Sequence, residues 1–271
     1  MKKPVSPAAL SDALRDALSA ASADTPPPAV IEPELPLPAP SLASVALAIS
    51  IALIAWLAFA AQTDITVHRM LSRGYDVLDG IERLTSYLTN LTIFTCALCF
   101  TCIGFFTRSS APFVRFTRQP TVVTAVTCYI VFVGFAYNLL LRHLWTPSGW
   151  RLLLNESLHT LVPLLAALYW LLFVPRFHPT LRHLLWWLVY PLGYLALTMA
   201  RGAASDFYPY PFIDVGELGY ARVLINASLL VLAFVLLMGV FVAINHRRPV
   251  PSVTPASPSR PQETDHDDDP A

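Results

Sequence analysis

The chain has 271 residues, of which 55% are hydrophobic and 13% charged, with a mean hydropathy of +0.54; soluble domains are about 25% charged. That composition excludes an ordinary water-soluble enzyme. The 18 Lys and Arg balance the 18 Asp and Glu, and no basic run offers a stripe for phosphate backbones, so nucleic acid is excluded as a partner.

Residues 1–41 hold nine of the 24 prolines in an Ala/Ser background that cannot bury a core, which predicts a disordered arm. Inside it, Leu10, Ala13, Leu14, Ala17 and Leu18 have the spacing of a short amphipathic helix. The first apolar block starts only at Leu42, beyond the reach of a secretory signal. Six apolar blocks then predict transmembrane helices near residues 42–61, 84–106, 121–141, 157–174, 183–200 and 223–244. The fold class is therefore all-α, a six-helix bundle over residues 42–244 with the lipid bilayer as its partner. Trp145 and Trp150 before the fourth block, and Trp186 and Trp187 near the start of the fifth, fit interfacial positions. The tail, residues 245–271, repeats the Pro/Ser chemistry and ends in Glu263, Asp265, Asp267, Asp268 and Asp269, a solvated acidic run.

Six crossings place both termini on one face. With that face cytoplasmic it carries 11 Lys and Arg against 7 on the other; without the four most remote from any helix the count is 7 against 7. The short loops on the terminal face hold five Arg and no acid, whereas the opposite face holds all eight acids outside the tails. The expected location is the cell membrane, multi-pass, with both termini cytoplasmic.

Polar groups at membrane depth are costly and mark candidate function. Three clusters stand out. The first is Thr85-Ser86-Tyr87-Leu88-Thr89-Asn90-Leu91-Thr92, continued by Thr95, a hydroxyl stripe that also suits helix packing. In the second, Asn155-Glu156-Ser157-Leu158-His159-Thr160, Glu156 and His159 share a helix face, so the carboxylate can orient the imidazole. The same residues could instead cap a helix start. The third is Asp206-Phe207-Tyr208-Pro209-Tyr210-Pro211-Phe212-Ile213-Asp214, a rigid turn suited to a lid or an interfacial anchor. Alternating crossings put all three at one end of the bundle. Cys96, Cys99, Cys102 and Cys128 lie inside apolar blocks and read as small apolar residues, and no metal or cofactor is called for. No Gly-rich phosphate loop, HExxH or GxSxG motif is present.

Together the clusters resemble the Pr6Pr family of bacterial membrane proteins, through SYLT at Ser86 to Thr89, ESLHTLVP at Glu156 to Pro163 and FYPYPFIDV at Phe207 to Val215. The stretch from Tyr137 to Trp150 is similar as well. More distantly, the chain is similar to the androgen-induced and androgen-dependent membrane hydrolases, which cleave fatty acid esters of hydroxy fatty acids with an intramembrane Thr and a His. Their Phe-Leu-Thr falls on Tyr87-Leu88-Thr89 and their Asn-x-x-x-His-Thr on Asn155 to Thr160. That resemblance implies Thr89 as nucleophile and His159 as base, while Pro163 and Glu156 depart from the eukaryotic pattern. The enzyme reading is hydrolysis of a lipid ester, with Glu156 orienting His159. Asn90, Asn155, Tyr208, Tyr210 and Asp214 are then candidates for substrate binding or oxyanion stabilisation. The alternative is a non-catalytic membrane protein, such as a small-solute channel, sensor or assembly factor, with a structural polar cluster.

Overall fold

The computed structural model describes residues 40–248; the short amino-terminal helix and the acidic tail expected above lie outside them. Among the described residues there is no strand. The helices are α1 (Leu42–Leu71), α2 (Val77–Thr85), α3 (Leu88–Gly104), α4 (Pro112–Thr117), α5 (Pro120–Ala136), α6 (Trp150–Glu156), α7 (Val162–Phe173), α8 (Leu181–Ser205) and α9 (Val215–Arg247). α5 runs on through a π turn, Tyr137–Leu141, and a 3-10 turn, Arg142–Leu144; a second π turn, Ser157–Leu161, joins α6 to α7 in one rod, Trp150–Phe173. Five helices are long and apolar enough to cross a membrane, and six if α2 and α3, bent by 85°, are counted as one span. The chain is an all-α, multi-pass membrane protein.

Most helices outrun their apolar blocks. The first continues from residue 61 to Leu71, the fourth starts at Trp150, and the last begins at Val215. Apolar content marks only the hydrocarbon span, whereas backbone hydrogen bonding carries a helix on into the headgroup layer, where charged side chains stay wet. One consequence concerns Glu156 and His159. They lie well inside a continuous rod, so neither they nor Asn155 cap a helix start.

The second block does not form one helix. A reciprocal cap between Asp76 and Asp79 starts α2, which buries Gly80 and Leu84 while leaving Leu78 and Ile81 exposed, as an interfacial helix should. Gly80 lies so close to α1 that a Cβ there would stand 3.0 Å from the Val67 Cα. The bend at Ser86 and Tyr87 then turns α3, whose 17 residues span about 25 Å. Asn90 Nδ2 donates to the Leu84 carbonyl (2.8 Å), and the Tyr194 hydroxyl to the Ser86 carbonyl (2.9 Å), so the groups freed by the bend are satisfied.

Lipid is as apolar as a leucine side chain, so helices associate here by close contact and by hydrogen bonds. Ala48, Ala52, Ala55 and Ala58 of α1 are buried in the core with Ile93, Cys96 and Phe100 of α3. Trp56 Nε1 donates to the Thr101 hydroxyl (3.0 Å) and Trp170 Nε1 to the Thr124 hydroxyl (2.8 Å), tying α1 to α3 and α7 to α5. At the terminal end, Asn245 exchanges hydrogen bonds with the Phe177 backbone, while Arg248 covers the Trp170 ring and donates to the Val174 carbonyl (2.9 Å). That guanidinium closes the open carbonyls at the end of α7.

Pro163 and Pro191 lie inside helical rods and lack the N–H that would meet the carbonyls of His159 and Trp187 four residues back. α5 and the π turn that extends it supply both missing donors. Asn138 Nδ2 reaches the His159 carbonyl at 3.1 Å, and the Tyr129 hydroxyl reaches the Trp187 carbonyl at 2.9 Å. One helix thereby holds α7 and α8 in register around the region where the polar clusters meet.

Candidate active site

Thr89 occupies the first turn of α3. Threonines in membrane helices commonly return their hydroxyl to the carbonyl four residues back. Thr63, Thr66, Thr95, Thr101, Thr124 and Thr127 all do so here, at 2.6 to 2.8 Å. For Thr89 that carbonyl belongs to Thr85 in α2, across the 85° bend, and no such bond forms. Thr89 and Tyr210 line the same cavity, and the Tyr210 phenol is close enough to the Thr89 hydroxyl and to the Leu88 and Thr89 amides to feel them electrostatically. Those first-turn amides have no acceptor within α3 and form the positive end of its dipole. Burial pushes the Tyr210 hydroxyl above the ordinary phenol range, so at neutral pH it remains a proton donor.

His159 sits in the π turn between α6 and α7, its ring stacked on Tyr137 with centroids 3.7 Å apart. Nδ1 lies 3.0 Å from the Asn155 carbonyl. A carbonyl only accepts, so Nδ1 carries the proton and Nε2 keeps a lone pair free to act as a base. This corrects the pairing of Glu156 with His159 expected from their spacing. Glu156 instead binds Arg142 through Oε1 and accepts from the Thr160 hydroxyl at 2.7 Å through Oε2. Both contacts join residues four apart, as the His68 ring and the Asp64 carbonyl do at 3.0 Å in the regular helix α1, and Arg142 and Thr160 take the carboxylate that the three-residue spacing offered to His159.

The π turn is held from α5. Gly134 comes so close that a Cβ there would stand 2.7 Å from the His159 carbonyl oxygen and 2.9 Å from Pro163 Cγ. Gly134→Ala is therefore expected to lower the stability of the detergent-solubilised protein by about 1–3 kcal/mol and to displace the imidazole. Thermal unfolding beside an activity measurement checks this; an unchanged transition with unchanged activity would contradict the contact.

A cavity of about 390 Å³ lies between these elements, and Thr89, Asn90, Asn155, His159 and Tyr210 all line it. The three sequence clusters thus meet in one place, as alternating crossings require. An adjoining chamber of about 90 Å³, walled by Leu188, Leu192, Phe132, Phe234 and their neighbours, shares Thr89, Tyr137, Leu141 and Tyr210 with it. Thr89 stands where the wet and dry spaces join. α8 buries only Trp187, Thr198 and Gly202, and Leu192 faces both the chamber and the outside, so the dry side adjoins lipid.

Other candidates have structural posts. Tyr208 and Asp214 do not line either space. Tyr208 lies over Gly202, where a Cβ would fall 2.0 Å from the ring, and Asp214 caps α9 through the amides of Gly216 and Glu217. Asn90 lines the cavity, but its amide nitrogen already serves the bend. Within the hydroxyl stripe, Thr92 bonds Tyr190 and Thr95 its own helix, so Thr89 alone of the four threonines faces the cavity. Sequence reasoning missed Tyr137, Arg69, Arg142 and Arg151. Arg142 could have been found as the opposite charge to Glu156 across the short connection between consecutive antiparallel helices.

No protein-family model matches the chain, and neither a curated protein nor a solved structure matches it. The chemistry of the site therefore has to come from its own geometry.

Proposed function

We propose that the protein is a membrane-embedded hydrolase of lipid or fatty acid esters, with Thr89 as nucleophile and His159 as base. The observation that carries this reading is the Thr89 hydroxyl, released from helix bonding by the bend and set where an apolar chamber joins a polar cavity. An acyl chain in the chamber would present its ester carbonyl to that hydroxyl. His159 Nε2 takes the hydroxyl proton as the oxygen attacks, and the developing oxyanion meets the Tyr210 hydroxyl and the first-turn amides of α3. Collapse breaks the bond to the alcohol, which leaves with the proton from His159. Water from the polar cavity then repeats the cycle on the acyl-threonine, returning Thr89 and releasing the acid.

Membership of the Pr6Pr family is proposed with this reading, on the residues of the three clusters. We also propose that the face opposite the cavity is cytoplasmic, since its loops and helix ends carry, among the described residues, Arg108, Arg115, Arg118, Arg176, Arg182, Arg247 and Arg248 and no acid. A reporter fluorescent only in the cytoplasm, fused after the last residue, is expected to light up; a dark fusion with an active periplasmic or extracellular reporter at the same point would reverse the orientation.

The reading is tested by treating membranes with a fluorophosphonate probe at matched expression of wild type, Thr89→Ala and His159→Ala. Wild type is expected to be labelled and both variants to lose the label. Full labelling of Thr89→Ala would place the nucleophile elsewhere. An unlabelled wild type without esterase activity would favour the structural polar cluster.

A further inference from the structure

The polar cavity draws its lining from exposed and buried residues alike. Its lining contains two guanidinium groups, Arg69 and Arg151, and no carboxylate. Neither forms an ion pair among the described residues, although all eight acids between residues 42 and 244 belong to the cavity's face of the bundle. Arg69, in the last turn of α1, suits that helix's dipole, but Arg151 stands in the first turn of α6, where a cation is disfavoured. Its guanidinium lies over the Trp150 ring, 5.9 Å from the centroid. Both arginine side chains are exposed, at the wet end.

Deeper in, two polar groups lack partners. The Asn155 side chain is 5% exposed and makes no hydrogen bond among the described residues, and the Tyr137 hydroxyl is buried with none. The Asn155 amide lines the cavity and can meet what the cavity takes in, whereas the Tyr137 hydroxyl is sealed off and only the rest of that side chain borders the space. Beyond Tyr137 lies the apolar chamber. Two exposed cations, a buried amide and an adjoining dry pocket match the charge, linkage and chain of an amphiphile.

We propose that the cavity binds a single-chain acyl ester bearing a phosphate monoester headgroup, with the phosphate on Arg69 and Arg151, the ester carbonyl at Thr89 beside the Asn155 amide, and the first carbons of the chain in the apolar chamber. This assignment rests on the reading of the cavity as a substrate site. Phosphate is chosen over carboxylate by charge. A phosphate monoester carries about −1.5 to −2 at neutral pH and matches two uncompensated guanidiniums, whereas a carboxylate would leave one unanswered. The dry chamber that adjoins the polar cavity is narrow, about 90 Å³, which suits one chain.

Binding is measured on full-length Thr89→Ala protein in neutral lipid nanodiscs, so that no ligand is consumed, by the change in tryptophan fluorescence that Trp145 at the cavity wall should report. The probes are a monoacylglycerol, its phosphorylated counterpart with the same chain, the free fatty acid of that chain, and glycerol phosphate. The phosphorylated lipid is expected to bind about tenfold more tightly than the monoacylglycerol. Arg69→Gln with Arg151→Gln should remove that margin and leave the neutral lipid's affinity unchanged; the same change at Arg115 and Arg222 should leave the margin intact. If the double Gln variant does not fold, Arg69→Lys with Arg151→Lys, which keeps charge but not the guanidinium fork, should narrow the margin. Equal binding of charged and neutral lipids, or equal binding of the free fatty acid and the phosphorylated lipid, would overturn the proposal. Tight binding of glycerol phosphate alone would make this a soluble-phosphate site and overturn its lipid part. A phosphate preference without turnover by wild type would remove the hydrolase reading and leave the ligand assignment standing, while turnover without the preference would do the reverse.

Discussion

Thr89→Ala is expected to lower ester hydrolysis by on the order of 10⁴-fold, and Thr89→Ser to retain most of it, because the chemistry needs a hydroxyl and not a methyl group. The contrast with Thr92 makes the test specific. Thr92 hydrogen-bonds Tyr190 at 2.9 Å and is buried in the helix contact, so Thr92→Val should cost about 1 kcal/mol of stability while leaving turnover close to wild type. Thr89 contributes no such bond to its own helix. Hydrolysis of a soluble acyl ester by purified, reconstituted protein, read beside thermal unfolding, separates the two threonines. Unfolding of Thr89→Ala with normal turnover per folded molecule would assign Thr89 to packing.

His159→Gln should lower the same rate by about two to four orders of magnitude, the range for removal of a general base. Glutamine can still donate to the Asn155 carbonyl, which the imidazole now does at 3.0 Å, so the π turn keeps its local hydrogen bond. What it lacks is the lone pair that Nε2 offers to the cavity. Added imidazole should recover part of the rate in His159→Gln and none in Thr89→Ala. Glu156→Gln should act more weakly and differently, because its carboxylate holds Arg142 and Thr160 and never touches the ring. A His159→Gln protein that folds and turns over at the wild-type rate would exclude the imidazole from the chemistry.

Much of this architecture is written in the apolar blocks. Six stretches long enough to cross a membrane fix an all-α bundle, and alternation of direction brings Thr89, His159 and Tyr210 to one end of it. Features that depend on backbone irregularity are hidden from such a reading. A π turn inserts no polar residue and breaks no apolar period, so SLHTL reads as ordinary helix, and the spacing of Glu156 and His159 implies a contact that Arg142 and Thr160 pre-empt by taking the carboxylate. The 85° bend is equally silent. Leu84, Leu88 and Leu91 continue the apolar pattern across it, while Asn90 and Tyr194, far apart in sequence, supply the hydrogen bonds that make it tolerable. Pro163 and Pro191 are visible as interruptions, but their remedies, Asn138 and Tyr129, sit on another helix. Arg69 and Arg151 are also far apart in sequence, and only the closed bundle shows them sharing a cavity.

The central claim is that the Thr89 oxygen becomes covalently acylated. Purified protein would be mixed with an activated acyl ester, stopped in acid within the first turnovers, digested, and analysed by mass spectrometry. An acyl group on the peptide carrying Thr89, assigned to that residue by fragmentation, lost on a chase without ester and stabilised in His159→Gln against hydrolysis once formed, is the predicted result. An adduct on another side chain, or turnover with no acyl-enzyme at any quench time, would contradict it.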